Sequence, residues 1–137
     1  MKFTLDWLKD HLDTSENLNT ITDTLTNIGL EIESVEDKSE IFKNFTVAKV
    51  LKAEKHPDAD KLKVCQVETI NGNYQVVCGA PNAREGMLGI FAPENSYIPG
   101  TDLHLKKTKI RGVESCGMLV SEREMGISDE HLSLIHI

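Results

Sequence analysis

The chain has 137 residues, of which 39% are apolar and 27% charged, and a net charge of −7. That suffices for one small core, is too short for a complete multidomain enzyme, and has the composition of a folded chain. No stretch reaches the ~18 apolar residues of a membrane span, and Met1-Lys2-Phe3-Thr4-Leu5-Asp6 lacks a secretory apolar core, so a cytoplasmic location with no membrane partner is expected.

In chain order, Leu5, Leu8 and Leu12 with Trp7 predict a short amphipathic helix. Leu18, Ile21, Leu25 and Ile28 recur at helical spacing behind Ser15 or Asn17 as cap, and Gly29 suits the left-handed position that ends a helix. Leu30 to Val35 then alternates as a half-buried strand. From Phe45 the period becomes two. Strands are expected over 45–54, 61–70, 74–79, 87–92, 103–107 and 116–120, separated by His56-Pro57-Asp58, Asn71-Gly72, Ala80-Pro81-Asn82 and Pro99-Gly100. Asn71-Gly72 predicts a type I′ hairpin turn. Ser121-Glu122-Arg123-Glu124 fits a capping box, with Gly126 closing a single helical turn. The fold class that follows is mainly β with a small α+β preface: a five-stranded OB-fold barrel preceded by a short helical N-terminal segment.

The acidity is local. Residues 1–40 hold three basic and ten acidic side chains, residues 41–111 eleven and seven, and residues 112–137 one and five, so a basic segment lies between two acidic ones. Lys49, Lys52, Lys55, Lys61 and Lys63 flank the first turn, and Lys106, Lys107, Lys109 and Arg111 follow later. With only 5% aromatic residues, and Phe45 and Phe91 at core positions, shape and phosphate contacts to a folded RNA are favoured over base stacking. Cys65, Cys78 and Cys116 lie in apolar strand-like runs and lack zinc-site spacing, also when His11 and His56 are counted, so no metal is expected. No combination of Ser, His, Asp or Cys has the setting of a catalytic nucleophile.

Three phrases stand in fixed order: His56-Pro57-Asp58-Ala59-Asp60-Lys61-Leu62, Val77-Cys78-Gly79-Ala80-Pro81-Asn82, and the run from Lys109-Ile110-Arg111-Gly112-Val113 through Gly117-Met118-Leu119-Val120-Ser121 to Gly126. Together they resemble the tRNA-binding OB-type domain attached to several aminoacyl-tRNA synthetases. The opening Met1-Lys2-Phe3-Thr4-Leu5-Asp6-Trp7-Leu8 and Ile28-Gly29-Leu30-Glu31-Ile32-Glu33 narrow this, and the chain resembles the N-terminal region of the bacterial phenylalanyl-tRNA synthetase β subunit. Val120 stands where that pattern has Cys, a change that conserves bulk.

The resemblance implies a small N-terminal helix/strand domain over 1–40 and a tRNA-binding OB domain over 41–131. It implies a non-catalytic tRNA-binding and assembly module of an α2β2 enzyme, with tRNA, the catalytic α subunit and the remainder of the β subunit as partners and no DNA. ATP and Mg²⁺ belong to the full enzyme and no cofactor to this segment. RNA contact is assigned to Lys61, Lys63, Lys106, Lys107, Lys109 and Arg111, with His56, Asn82, Arg84 and Ser121 joining them. His56, Asn82 and Ser121 also have structural readings as turn former, turn former and helix cap. The alternatives are a free-standing structure-specific tRNA-binding protein, an appendix of another synthetase such as the methionyl enzyme, and a purely protein–protein assembly module. Leu132-Ser133-Leu134-Ile135-His136-Ile137 departs from the family's closing strand and resembles one reading frame of a transposon-derived sequencing adapter, so it reads as a non-native tail.

Overall fold

The computed structural model describes residues 1–137 and divides into two compact units, Met1–Asp37 and Lys38–Ile137. In the first, helix α1 (Leu5–His11) begins at Thr4, whose hydroxyl accepts from Trp7 N–H, and α2 (Leu18–Asn27) begins at Asn17, whose side chain accepts from Thr20 N–H. The end of α2 is a Schellman motif: Gly29 stands at φ +94°, Leu30 N–H donates to Leu25 and Gly29 N–H to Thr26. The strand expected over Leu30 to Val35 does not form. A strand needs a partner for its backbone groups, and this unit contains none. Ile21 alone is buried here, while Trp7, Leu12, Ile28, Leu30 and Val35 are exposed.

The second unit opens with a turn of helix, α3 (Ser39–Phe42), that the apolar pattern did not indicate. Strands β1 (Thr46–His56), β2 (Ala59–Thr69), β3 (Gly72–Cys78), β4 (Leu88–Ala92) and β9 (Met118–Leu119) form an antiparallel sheet in the order β3-β2-β1-β4-β9. Two small hairpins lie between β4 and β9 in sequence: β5 (Tyr97–Ile98) with β6 (Leu103–His104), and β7 (Thr108–Ile110) with β8 (Val113–Ser115). The expected strands at 103–107 and 116–120 thus shrink to two paired residues each. Alternation places Val50, Val67, Val76 and Phe91 in one core cluster, and Ile98, Leu105 and Val120 in a second. Edge strand β3 packs against β8 and β9, and Gln75 O accepts from Cys116 N–H at 2.8 Å, which draws the two ends of the sheet together in an OB-like, partly open arrangement.

The β2–β3 hairpin is present, but its turn is not type I′. Gly72 has φ +125° whereas Asn71 is not at positive φ, and Thr69 pairs with Gly72 across Ile70-Asn71. Both central residues of a type I′ turn would need positive φ. That requirement is met at Arg111 (φ +47°) and Gly112 (φ +83°), which join β7 to β8. After β9, Ser121 and Glu124 make one half of the expected capping box: Ser121 N–H donates to the Glu124 carboxylate at 2.6 Å, while the Ser121 hydroxyl contacts that same carboxylate, and the segment is a hydrogen-bonded turn rather than a helical turn. This turn packs onto Gly100, where an added Cβ would overlap the Arg123 carbonyl.

Residues 132–137 lie on the domain. Leu134 is buried in the larger core cluster and bridges to Ser121, His136 bridges to Gly89, and Ile137 N–H donates to Leu88 O at 3.0 Å.

Candidate nucleic-acid interface

The β1–β2 turn is organised by its histidine. His56, 4% exposed, accepts from Asp58 N–H at Nδ1 (3.0 Å), which leaves the proton on Nε2, and Nε2 donates to Ile110 O at 2.9 Å. Pro57 holds the preceding histidine in an extended conformation, which aims its ring across the turn. From the other side the Arg111 guanidinium donates to Asp58 O at 3.3 Å. The tips of the β1–β2 and β7–β8 hairpins are therefore joined. The base of the second hairpin is held by β3: Gln75 Nε2 donates to Glu114 O (3.0 Å) and Val77 N–H to Ser115 Oγ (3.1 Å).

This junction sorts the candidate residues. Lys61, Lys109 and Arg111 are exposed on the joined hairpins, Lys106 is exposed just before β7, and none of the four is in an ion pair. Lys55, also exposed and outside any ion pair, faces Lys63 across β1 and β2. Lys107 is paired with Glu114 at 3.4 Å, and that carboxylate's hydrogen bond and charge raise the lysine's pKa. Asp58 and Asp60 are exposed at the apex, so a phosphate is favoured on the lysine-bearing flanks rather than at the tip.

Other candidates are occupied structurally. Lys63 Nζ donates to Ala83 O at 2.5 Å and Pro81 O at 3.2 Å, which orders the 80–83 loop. The Asn82 side chain is bonded to both backbone groups of Leu134, and Arg84 donates to Asn82 O (3.3 Å) and lies 3.3 Å from His136 Nε2. Ser121 is buried with its N–H and hydroxyl on the Glu124 carboxylate, and His56 is the turn's internal tie. What the sequence reading missed is the β7–β8 hairpin itself, together with the exposed ring pair Tyr97 and His104, whose centroids lie 5.0 Å apart. The alternation of Tyr97 with buried Ile98 was the available signal for that pair.

No group of three or more His, Cys, Asp or Glu side chains is placed to hold a metal ion. Cys65 and Cys78 are buried free thiols, and burial pushes Cys65 up to about 11 and Cys78 in the same direction. Neither is a ready nucleophile. The arrangement offers exposed cations on a surface of two hairpins tied together at their tips.

Residues 45–137 match the family model described as "Putative tRNA binding domain". The whole chain is 57% identical over 139 residues to the phenylalanine–tRNA ligase β subunit of Mesorhizobium japonicum and 53% identical over 137 residues to that of Ruegeria pomeroyi, and spans 17% of the length of each. Among solved structures, a MetRS related protein from Pyrococcus horikoshii is similar with a TM-score of 0.50 and 28% identity, over 76% of this chain and 89% of that one.

Proposed function

From the premise that the chain belongs to the tRNA-binding domain family, we propose that it contacts the tRNA backbone with the joined tips of the β1–β2 and β7–β8 hairpins. Lys61, Lys106, Lys109 and Arg111 meet phosphates, and the module performs no chemistry of its own. The observation that carries this reading is the pair of bonds His56–Ile110 and Arg111–Asp58. They make one surface of two basic hairpins that are separated by 54 positions in sequence at the histidine tie. Cations on a rigid support lose little conformational freedom on binding, which suits recognition of a folded RNA by shape.

The similarity to these longer relatives supports reading the module as part of a phenylalanine–tRNA ligase, where it would serve aminoacylation in the cytoplasm beside a catalytic α subunit in an α2β2 assembly. The ATP- and Mg²⁺-dependent step would lie in that subunit. An assembly role for Met1–Asp37 has its own support. Trp7 is 54%, Ile28 67% and Leu30 59% exposed in a unit with one buried residue, an apolar surface suited to the α subunit or the remaining β chain.

The test is tRNA affinity across a salt series for the wild type and for the variant with Lys61, Lys106, Lys109 and Arg111 all changed to Glu. Each lost phosphate contact should remove roughly one unit from the slope of log affinity against log salt, so the variant should bind weakly and with a much flatter slope. An unchanged affinity and slope would overturn the phosphate reading and leave assembly as the function.

A further inference from the structure

Tyr97 and His104 are directly opposite on β5 and β6, next to the pair Ile98 and Leu103. Ile98 is fully buried, so alternation turns Tyr97 and His104 outward. Tyr97 is 37% exposed and His104 is exposed. Their rings lie 5.0 Å apart at a 45° tilt. The phenol is fixed: Tyr97 Oη donates to Asp102 Oδ1 at 2.8 Å, and Asp102 occupies the left-handed region at φ +50° to reach it. That bond raises the Tyr97 pKa, so the ring stays neutral. The other ring pairs of this unit are spent in packing: Tyr74 stacks on fully buried Phe91, and Phe42 meets Phe45, both half-buried.

We infer that Tyr97 and His104 form a stacking platform for one unpaired base of the bound RNA, an inference that rests on the tRNA reading above. A base presents a neutral π-face that stacks on tyrosine whatever its identity, and unpaired bases of folded RNAs are commonly held on such rings. The imidazole nitrogens of His104 make no hydrogen bond within the protein, which leaves a donor and an acceptor for the edge of that base. Lys106 lies two residues beyond His104, past buried Leu105, within ~7 Å of chain. The phosphate attached to the stacked nucleotide therefore has an unpaired cation within reach. A protein partner is less well matched, because the platform is small, held by a polar bond to Asp102 and followed by two lysines.

The test measures binding of a tRNA transcript and of a blunt, fully paired RNA duplex to the full chain, comparing wild type with Tyr97→Leu, Tyr97→Phe and His104→Leu. Loss of one stacked base should make Tyr97→Leu bind tRNA about tenfold more weakly, while Tyr97→Phe, which keeps the π-face, stays within about threefold of wild type. Duplex affinity should be the same for all four proteins. Equal tRNA affinity for Tyr97→Leu and wild type would overturn the platform and leave the phosphate reading standing, as would a loss of the same size on duplex and tRNA. Wild type that binds neither RNA would overturn both. His104→Leu, on an exposed position, keeps the inference falsifiable if a Tyr97 variant unfolds, and its expected loss is about threefold on tRNA alone.

Discussion

His56 Nε2 donates to the carbonyl of Ile110 at 2.9 Å, and through this bond the turn of one basic hairpin fixes the tip of another. The ring is 4% exposed and its Nδ1 is occupied by Asp58 N–H, so both nitrogens are committed to backbone. His56→Ala leaves two backbone groups without their partner and should cost about 2 kcal/mol in urea unfolding. It should also weaken tRNA binding although it removes none of the lysines or arginine, because the two hairpins lose their registration. An RNA affinity equal to wild type in a folded His56→Ala protein would mean that the hairpins act independently.

Arg111 occupies a position that its own backbone disfavours. At φ +47° in a type I′ turn, asparagine or glycine would be less strained, and a non-glycine residue in such a region costs of order 1 kcal/mol. The guanidinium's bond to Asp58 O is exposed and long at 3.3 Å, so it offsets only part of that cost. Arg111→Asn should therefore match or exceed wild-type stability by up to about 1 kcal/mol while losing tRNA affinity. A clear loss of stability in chemical denaturation would show that the bond to Asp58 outweighs the backbone strain.

Arg111 also shows where local sequence rules stop. Asn71-Gly72 has the composition of a type I′ turn and marked a real hairpin, but the turn of that type lies at Arg111-Gly112, whose first residue is outside the usual vocabulary. Local signals were sufficient at Ser121 and Glu124, two residues three positions apart that meet through one half of a capping box, and at Gly29, where the helix ends as expected. They failed for Leu30 to Val35, since alternation cannot supply a pairing partner. In the candidate site, charge was legible but commitment was not. Lys63 and Lys61 look alike in sequence, and only the fold shows that one Nζ is held by Ala83 and Pro81 carbonyls while the other is free.

Asn82 has a similar lesson, with a stability consequence. Its Oδ1 accepts from Leu134 N–H at 2.9 Å and its Nδ2 donates to Leu134 O at 3.1 Å, so the side chain imitates a neighbouring strand. Leu134 is itself buried against the core. Ending the chain after His131 should cost about 3 kcal/mol, combining the lost leucine burial with the abandoned amide. It should also favour self-association through the uncovered edge beside β4. Asn82→Ala in the 137-residue chain should show about half that cost, without association by sedimentation. Equal urea midpoints for the 131- and 137-residue chains would show that the docked segment contributes nothing to the fold.

Cys65 supplies a pH dependence from within the core. The side chain is fully buried between Ala53 and Val76 on the neighbouring strands, and burial, with a smaller contribution from Cys78, lifts its thiol from the usual 9.0 to about 11. In the unfolded chain the thiol loses its proton near pH 9, whereas the folded chain keeps it until about pH 11. Between those values the unfolded state binds fewer protons, so stability falls as pH rises, at most by about 1.4 kcal/mol per pH unit. Below pH 8 this group contributes no slope. Cys65→Ala carries a constant cavity cost but no titrating thiol, and lysine ionisation above pH 10 is common to both proteins. The stability advantage of wild type over Cys65→Ala should therefore shrink steadily in urea unfolding between pH 8 and pH 11. An advantage that stays constant over that interval would mean that the folded and unfolded thiols ionise alike.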